Sequence, residues 1–173
     1  MRHFVIIMAA ALTLGSLASA GARADDVQSK IQAAYDAQCK AFLAKDPDAF
    51  QKTFDPKYQS TDLDGKHESL ADIVNEVTAS TPGITIATCT FKIRSYTVSG
   101  TTATVLATAT ATGTLTQNGG VASPLSQIQE TTDTWNVAGA PLETASVETG
   151  LRASVGGKVV QEKGALATPP GGR

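Results

Sequence analysis

The sequence has little histidine, little positive charge and few aromatic residues. His3 and His67 are the only histidines, aromatic residues make up 5% of the 173 residues, and no lysine or arginine occurs between Arg94 and Arg152. The scarcity of histidine argues against a Ser-His-Asp or Cys-His catalytic site. With 14 basic and 16 acidic residues, the chain also lacks the excess positive charge that nucleic-acid binding requires, so we expect no nucleic-acid partner.

Residues that bind metals are also few. Cys39 and Cys89 are the only cysteines, and no His or Cys spacing matches a zinc site. The acidic stretch from Asp62 to Gly65 superficially resembles a calcium loop, but Ala71 stands where that loop needs a bidentate Glu. We therefore interpret this stretch as a turn and expect neither a metal nor a cofactor.

The N-terminus has the features of a secretory signal peptide over residues 1–24. A short basic segment precedes an apolar run from Phe4 to Leu17, and small residues then offer cleavage after Ala20 or, as we favour, after Ala24. The run has fewer than the roughly 20 residues that a membrane-spanning helix needs. We expect a periplasmic or secreted protein without integral membrane association, whose mature form has 12 basic and 16 acidic residues.

Export leaves two interpretations of the cysteine pair. In an oxidising compartment Cys39 and Cys89 can form a disulfide. Because both lie on apolar faces of their segments, they can equally be two buried thiols that act as small hydrophobic residues.

The first part of the mature chain is predicted to be helical. Residues 25–44 place apolar side chains at the i, i+3, i+4, i+7 positions of one long amphipathic helix. Pro47, with Asp46 as its cap, starts a short helix through Phe54. A short strand over 58–62, a turn at Asp64 and Gly65, and a third helix over 69–79 follow.

The second part is predicted to form strands, because fifteen of the fifty residues from 85 to 134 are threonine, which favours strands. Connections between the segments are too short for crossover helices, so the strands form an antiparallel meander whose one face the helices cover. The predicted strands cover residues 84–98, 101–116, 125–137 and 142–149. Residues 150–173 are rich in Gly and Pro and are expected to form a flexible tail.

The strand at 101–116 has one threonine-rich face and one face of unusually small apolar residues. Small side chains opposite a helix leave either very close packing of helix on sheet or unfilled volume that becomes a pocket. The small residues are Ala103, Val105, Ala107, Ala109 and Ala111.

Three stretches carry a resemblance to a known superfamily. They are the segment FLAKDPDAF at 42–50, the segment YQSTDLDGK at 58–66 and the segment TDTWNV at 132–137. In this order of elements the chain resembles the nuclear-transport-factor-2-like (NTF2-like) superfamily, in its SnoaL-like or DUF4440-like branch, over residues 27–149. The resemblance implies an α+β, cystatin-like cone in which a curved antiparallel sheet wraps around the long first helix, with a pocket at the open end.

Members of this superfamily include isomerases, cyclases and dehydratases as well as proteins that only bind ligands. Ketosteroid-isomerase-like members use a base carboxylate, a Tyr and an acidic donor in an apolar cavity, where burial strengthens hydrogen bonds to a developing oxyanion. The resemblance therefore implies that carboxylates and tyrosines pointing into the cone are the candidates for catalysis.

Three residues are candidates for such proton transfer. Tyr35 lies on the inward stripe of the first helix, Asp133 shares a strand face with Trp135 and Gln129, and Asp62 ends the first strand. Each also has a structural interpretation, namely Tyr35 as core filler, Asp133 as an exposed carboxylate and Asp62 as a turn-capping residue. Residues expected to contact a ligand are Tyr35, Phe91, Gln129 and Trp135.

We favour an exported module of residues 25–149 that binds a small apolar ligand or serves as a scaffold without catalysis. The alternative is a cofactor-free isomerase or lyase, such as a ketosteroid-isomerase-like enzyme or a dehydratase. The threonine-rich outer face has Leu106 as its only large apolar residue, which predicts a monomer or a weak homodimer.

Overall fold

The computed structural model describes residues 17–79, 83–116 and 120–166. Most of the predicted signal peptide and the last seven residues lie outside the described part of the chain. The elements are α1 (Leu17–Ala44), α2 (Pro47–Gln51), β1 (Phe54–Thr61), β2 (His67–Ser69), α3 (Leu70–Thr78), β3 (Ile84–Ser99), β4 (Thr102–Thr116), β5 (Ala122–Asn136), β6 (Leu142–Val155) and β7 (Lys158–Gly164). No helix within these ranges is long and apolar enough to cross a membrane.

All the described strands belong to one sheet with the order β2-β1-β6-β5-β4-β3, and β7 also pairs with β6. The four long strands β3 to β6 form the predicted antiparallel meander. β1 joins this meander by parallel pairing with β6, a relationship that the sequence pattern did not indicate. The α+β class and the curved sheet next to a long N-terminal helix are thereby confirmed.

The start of α2 agrees with its predicted cap at Asp46, whereas the bounds of the other helices differ from the predicted ones. The side chain of Asp46 accepts a hydrogen bond from the backbone N–H of Ala49 and caps α2, and Ser69 and Asp72 form a reciprocal capping box at α3. α2 ends at Gln51, before its predicted end, because Phe54 already begins β1. α1 begins at Leu17, so the described helix includes both predicted cleavage sites.

Residues 150–164 form strands and a hairpin, so the prediction of a flexible tail is wrong for this segment. β6 continues to Val155, and β7 pairs with it in antiparallel register from Gly150 to Val155. The glycines interpreted as signs of a loose tail instead make the hairpin, where Gly156 and Gly157 both have positive φ. Residues 167–173 of the predicted tail lie outside the described residues.

The main core lies where α1 crosses the concave face of the sheet. Ile31 and Tyr35 are completely buried there against the small residues Ala103, Val105 and Ala107. The small face of β4 therefore allows close packing at residues 103–107, which was the first of the two sequence interpretations. Further along the same strand, Ala109 and Ala111 line open volume, so the second interpretation also holds at those positions.

A second core cluster forms where α2 and α3 close over β1. It consists of Ala41, Phe50, Phe54, Tyr58 and Val77. Register shifts between β5 and β6, next to Thr131 and next to Trp135, interrupt the regular ladder. Such irregularities bend a strand and re-aim its side chains, and here they set which residues face the helix.

Candidate functional site

A cavity of about 500 Å³ lies between α1, β1, α3 and the concave face of the sheet. Aromatic and aliphatic side chains form much of its wall, including Phe42, Phe54, Ile73, Ile86 and Phe91. Its polar side chains include Gln38, Tyr58, Gln129, Asp133, Glu143 and Ser146. An apolar enclosure with a few convergent polar groups is typical of a small-molecule site.

Asp133 lies on β5 with its side chain turned toward α1, because it shares the concave face with Thr131 and Trp135, two residues away on either side. Only 1% of it is exposed, so the interpretation as an exposed strand carboxylate is wrong. Ser146 donates a hydrogen bond of 2.6 Å to Oδ1, while Tyr35 and Thr131 donate bonds of 2.5 and 2.9 Å to Oδ2. Burial raises the pKa of Asp133, and these three hydroxyl donors oppose that rise.

Glu143 on β6 is a second buried carboxyl at this end of the cavity, and the sequence analysis missed it. It is 4% exposed, and its Oε2 accepts a hydrogen bond of 2.7 Å from the amide of Gln38. Burial, followed by the negative charge of Asp133, raises the pKa of Glu143 well above its usual value. With one amide donor against the three hydroxyls on Asp133, Glu143 is the group that takes up a proton first.

Tyr35 and Trp135, both expected to contact a ligand, lie behind Asp133 and not in the cavity wall. The Tyr35 ring stacks on Phe91 at 4.5 Å between centroids, and Trp135 meets it edge-on at 4.9 Å. Burial raises the pKa of Tyr35, and the nearby charges of Asp133 and Glu143 add to the rise. Tyr35 is therefore a hydrogen-bond donor that orients Asp133 from the core.

Asp62 lies at the rim of the cavity and acts as a turn residue. One oxygen of its side chain accepts hydrogen bonds from the backbone N–H groups of Asp64 and Lys66. The Lys66 backbone donor is the main cause of the lowered pKa of Asp62. The structural interpretation of Asp62 matches this geometry, although the residue also borders the cavity mouth.

The other two expected ligand contacts, Phe91 and Gln129, do line the cavity. Tyr58 on β1 lines it as well and was not singled out from the sequence. Burial raises the pKa of Tyr58, with the charge of Glu143 as the next cause, so its phenol stays protonated as a donor. The sequence signal that could have identified it is its place as the aromatic first residue of the predicted strand at 58–62.

Cys39 on α1 and Cys89 on β3 form a disulfide with a Cα–Cα distance of 5.3 Å. The structure agrees with the first of the two sequence interpretations, in which the two cysteines form a disulfide. Both cysteines line the cavity, so the bridge holds one end of α1 against the sheet beside it.

Within the described ranges, no cluster of three or more His, Cys, Asp or Glu residues could hold a metal ion. The side chains of the site include two carboxyls whose surroundings differ. Asp133 accepts hydrogen bonds from three hydroxyl donors that favour its charged form, whereas Glu143 has one amide donor, and its burial and the nearby Asp133 charge favour its neutral form. Two carboxyls with opposed environments can serve as hydrogen-bond acceptor and donor in one pocket.

No family model and no curated protein matches this sequence. Solved structures do. A nuclear transport factor 2 (NTF2-like) superfamily protein from Salmonella enterica aligns with a TM-score of 0.55 at 13% identity, over 87% of this chain and 99% of that one. A ketosteroid isomerase-like protein from Erwinia carotovora aligns with a TM-score of 0.51 at 16% identity, over 73% and 94% of the two chains.

An NTF2-like protein with a cystatin-like fold from Novosphingobium aromaticivorans aligns with a TM-score of 0.50 at 12% identity, over 80% and 90% of the two chains. At these identities the similarity concerns the fold. The long first helix, the curved antiparallel sheet and the cavity between them agree with that likeness. This chain has the NTF2-like, cystatin-like α+β fold.

Proposed function

We propose that this protein binds a small, largely apolar ligand whose polar end reaches the buried carboxyls. The observation that carries the proposal is the cavity of about 500 Å³, which has aromatic walls and places Glu143 and Asp133 at one end. Its volume lies within the roughly 300–1,000 Å³ of typical ligand pockets. Polar groups of this kind orient a ligand, while the apolar wall supplies most of its affinity.

Filling the cavity tests the proposal. Ala111 lines the cavity, whereas Thr114 on the same strand is exposed and does not. Calorimetric titration with the uncharged probe 4-phenylbutanol should show binding to the wild type, weaker binding by about tenfold or more to Ala111→Leu, and unchanged binding to Thr114→Leu. Equal binding by both variants would place the probe elsewhere and contradict the proposal.

The natural ligand can be sought without knowing its identity. Native mass spectrometry of protein purified from the producing cells should reveal a bound mass that Ala111→Leu lacks and Thr114→Leu retains. A ligand-free spectrum for all three proteins, together with no binding of the probe, would favour the scaffold role instead.

The second candidate function is a cofactor-free isomerase or dehydratase. Its supporting observation is the raised pKa of Glu143 beside a hydrogen-bonded Asp133, since a carboxyl titrating closer to neutral pH is suited to proton transfer. In this role Glu143 takes the proton from a carbon next to a carbonyl group and returns it, and Asp133 stays in its hydrogen-bond network. In this role Asp133, one of the three residues predicted as candidates for proton transfer, is a positioning residue.

Deuterium exchange into 4-phenylbutan-2-one in D2O measures this step directly by NMR. Exchange that is faster with wild type, lost in Glu143→Gln and reduced in Ala111→Leu would support catalysis. A rate equal to that of buffer alone would remove the case for proton abstraction next to a carbonyl.

The remaining expectations stand as proposals. We propose that the protein belongs to the SnoaL-like or DUF4440-like branch, that it is exported to the periplasm or beyond after removal of residues 1–24, and that it is a monomer or weak dimer. The disulfide between Cys39 and Cys89 supports export, because such bridges persist in oxidising compartments.

A further inference from the structure

The wall of the cavity is acidic and has no lysine, arginine or histidine among its described residues. Six of its residues carry carboxyl groups: Asp62, Glu68, Glu76, Asp133, Glu143 and Glu148. A concave, partly apolar surface lined by one sign of charge concentrates ligands of the opposite sign. We infer that the ligand of this cavity is an organic cation, an amine or ammonium group on an apolar body, an inference that rests on the proposed binding function.

Most of these carboxyls have no ion-pair partner among the residues that the structure describes. Lys66 pairs with Glu68 at 2.6 Å near the rim, and Lys163 pairs with Asp64 outside the lining. Among the described side chains, the salt bridges leave out Glu76, Asp133, Glu143 and Glu148. No salt bridge with a cationic side chain of the described residues therefore neutralises the negative charge that these four carboxyls take on when they ionise.

Burial makes the charged form of these carboxyls costly. Burial is the main cause of the raised pKa of Glu143. It is also the main cause of the raised pKa values of Glu76 and of the half-buried Glu148. Gln38 occupies Oε2 of Glu143, while Oε1 accepts no hydrogen bond from the described residues. A ligand N–H⁺ group placed at Oε1 would supply the missing donor and the missing charge together.

The aromatic wall fits the same ligand. Phe54 lies between Phe50 and Tyr58, with centroid distances of 5.0 and 4.7 Å, and all three rings line the cavity. Ring faces attract a cation through their quadrupole, and combined aromatic and carboxylate surroundings are typical of ammonium recognition. An anionic ligand would meet the same rings without any compensating positive side chain.

Three probes that differ mainly in charge test the inference. 4-Phenylbutylamine, 4-phenylbutanol and 4-phenylbutyrate share one apolar body and are titrated calorimetrically against the full mature protein at pH 7.5. We expect the amine to bind about tenfold or more tightly than the alcohol, and the carboxylate to bind more weakly than both. The preference should shrink at high salt, because exposed carboxyls near the rim are screened.

Variants locate the preference within the cavity. Glu143→Gln should reduce the ratio of amine to alcohol affinity by about tenfold, because the amide keeps a polar oxygen at this position and loses the negative charge. The half-buried Glu148→Gln gives a second measurement at a position that tolerates substitution more readily, with a smaller loss expected. Asp48→Asn removes the same unit of charge from exposed α2, and its ratio should stay at the wild-type value.

The failures are distinguishable. If the alcohol or the carboxylate binds as tightly as the amine, the cationic ligand is wrong and the binding function stands. An amine preference that both glutamate variants retain in full would also overturn it, since the preference would then come from elsewhere on this acidic chain. If none of the probes binds up to millimolar concentration, the proposed function fails along with it.

Discussion

The phenol of Tyr35 on α1 donates a 2.5 Å hydrogen bond to Oδ2 of Asp133 on β5, across 98 residues of sequence. Both residues are buried, so the bond links the long helix to the middle of the sheet in surroundings of low dielectric constant, where a hydrogen bond is stronger than in water. It fixes the orientation of Asp133, whose carboxylate also accepts hydrogen bonds from Ser146 and Thr131. A hydrogen bond from the core therefore holds the carboxylate at the polar end of the cavity in place.

Removing this donor should destabilise the fold. Tyr35→Phe leaves Asp133 buried with one hydrogen bond fewer, and we expect a loss of about 1.5–3 kcal/mol in the free energy of unfolding, as for bonds to charged groups. Urea denaturation followed by circular dichroism measures it. The matched control is Tyr96→Phe at a half-buried position on β3, for which a change below about 0.5 kcal/mol is expected. Equal losses in the two variants would contradict a special role for the bond.

The pH dependence of stability should report Glu143. Because burial raises its folded-state pKa above the unfolded value, its contribution to stability is fully present below the unfolded pKa and is lost as pH rises through the folded pKa. Glu143→Gln removes this loss, so the free energy of unfolding of the variant at pH 8 should be higher than that of wild type by more than about 0.5 kcal/mol. Its stability should also fall less between pH 4 and 8.

Thermal and urea melts at several pH values check this prediction. Glu76 and Glu148, whose pKa values are also raised by burial, remain in the variant, so the pH dependence should flatten without vanishing. A parallel shift of the whole curve would indicate that Glu143 keeps its usual pKa and would contradict the assignment.

The disulfide should contribute strongly to stability. It closes a loop with a sequence separation of 50 residues, for which the chain-entropy model gives about 4 kcal/mol as an upper estimate. The double variant Cys39→Ala with Cys89→Ala should lose up to that amount in urea denaturation. Titration of denatured, unreduced wild type should find no free thiol, whereas two equivalents would show that the pair stays reduced.

Self-association, if it occurs, should be weak and should use the outer face of the sheet. That face is rich in threonine, and half-buried Leu106 is the only large apolar residue of β4 on it. Sedimentation at micromolar concentration should show mainly monomer, and Leu106→Lys should abolish any dimer. A tight dimer that survives this substitution would place the interface elsewhere.

Export should remove the N-terminus in a defined way. The intact mass of protein recovered from the periplasm or medium should correspond to a chain beginning at Asp25, following cleavage after Ala24. A mass that begins at Gly21 would indicate the alternative site after Ala20. Recovery of the full chain from the cytoplasm alone would contradict export.

Much of the fold was predictable because local patterns carry it. The alternation along β4 separates an outer threonine face from an inner face of small residues, and it matches the observed burial of Ala103, Val105 and Ala107. Caps at Asp46 and Ser69 likewise depend on neighbours within three residues. The same local reasoning failed for residues 150–164, where glycines that form a hairpin were interpreted as a loose tail.

The cavity was less predictable, as Glu143 illustrates. In a regular strand Glu143 and Ser146 would point to opposite faces, since side chains alternate with a period of two. The register shift between β5 and β6 next to Trp135 turns both of them toward the inside. A bulge of this kind leaves no clear trace in the composition of β6.

The sequence by itself determined the α+β class, the meander of long strands and the aromatic and acidic residues from which a site could be built. These follow from hydrophobic periodicity and turn chemistry, which act over a few residues. Tertiary structure alone decided that Gln38 meets Glu143 across 105 residues, that Tyr35 orients Asp133 from behind, and that Cys39 pairs with Cys89. These contacts depend on strand register, on bulges and on the parallel pairing of β1 with β6, all of which are set by the packing of the whole chain.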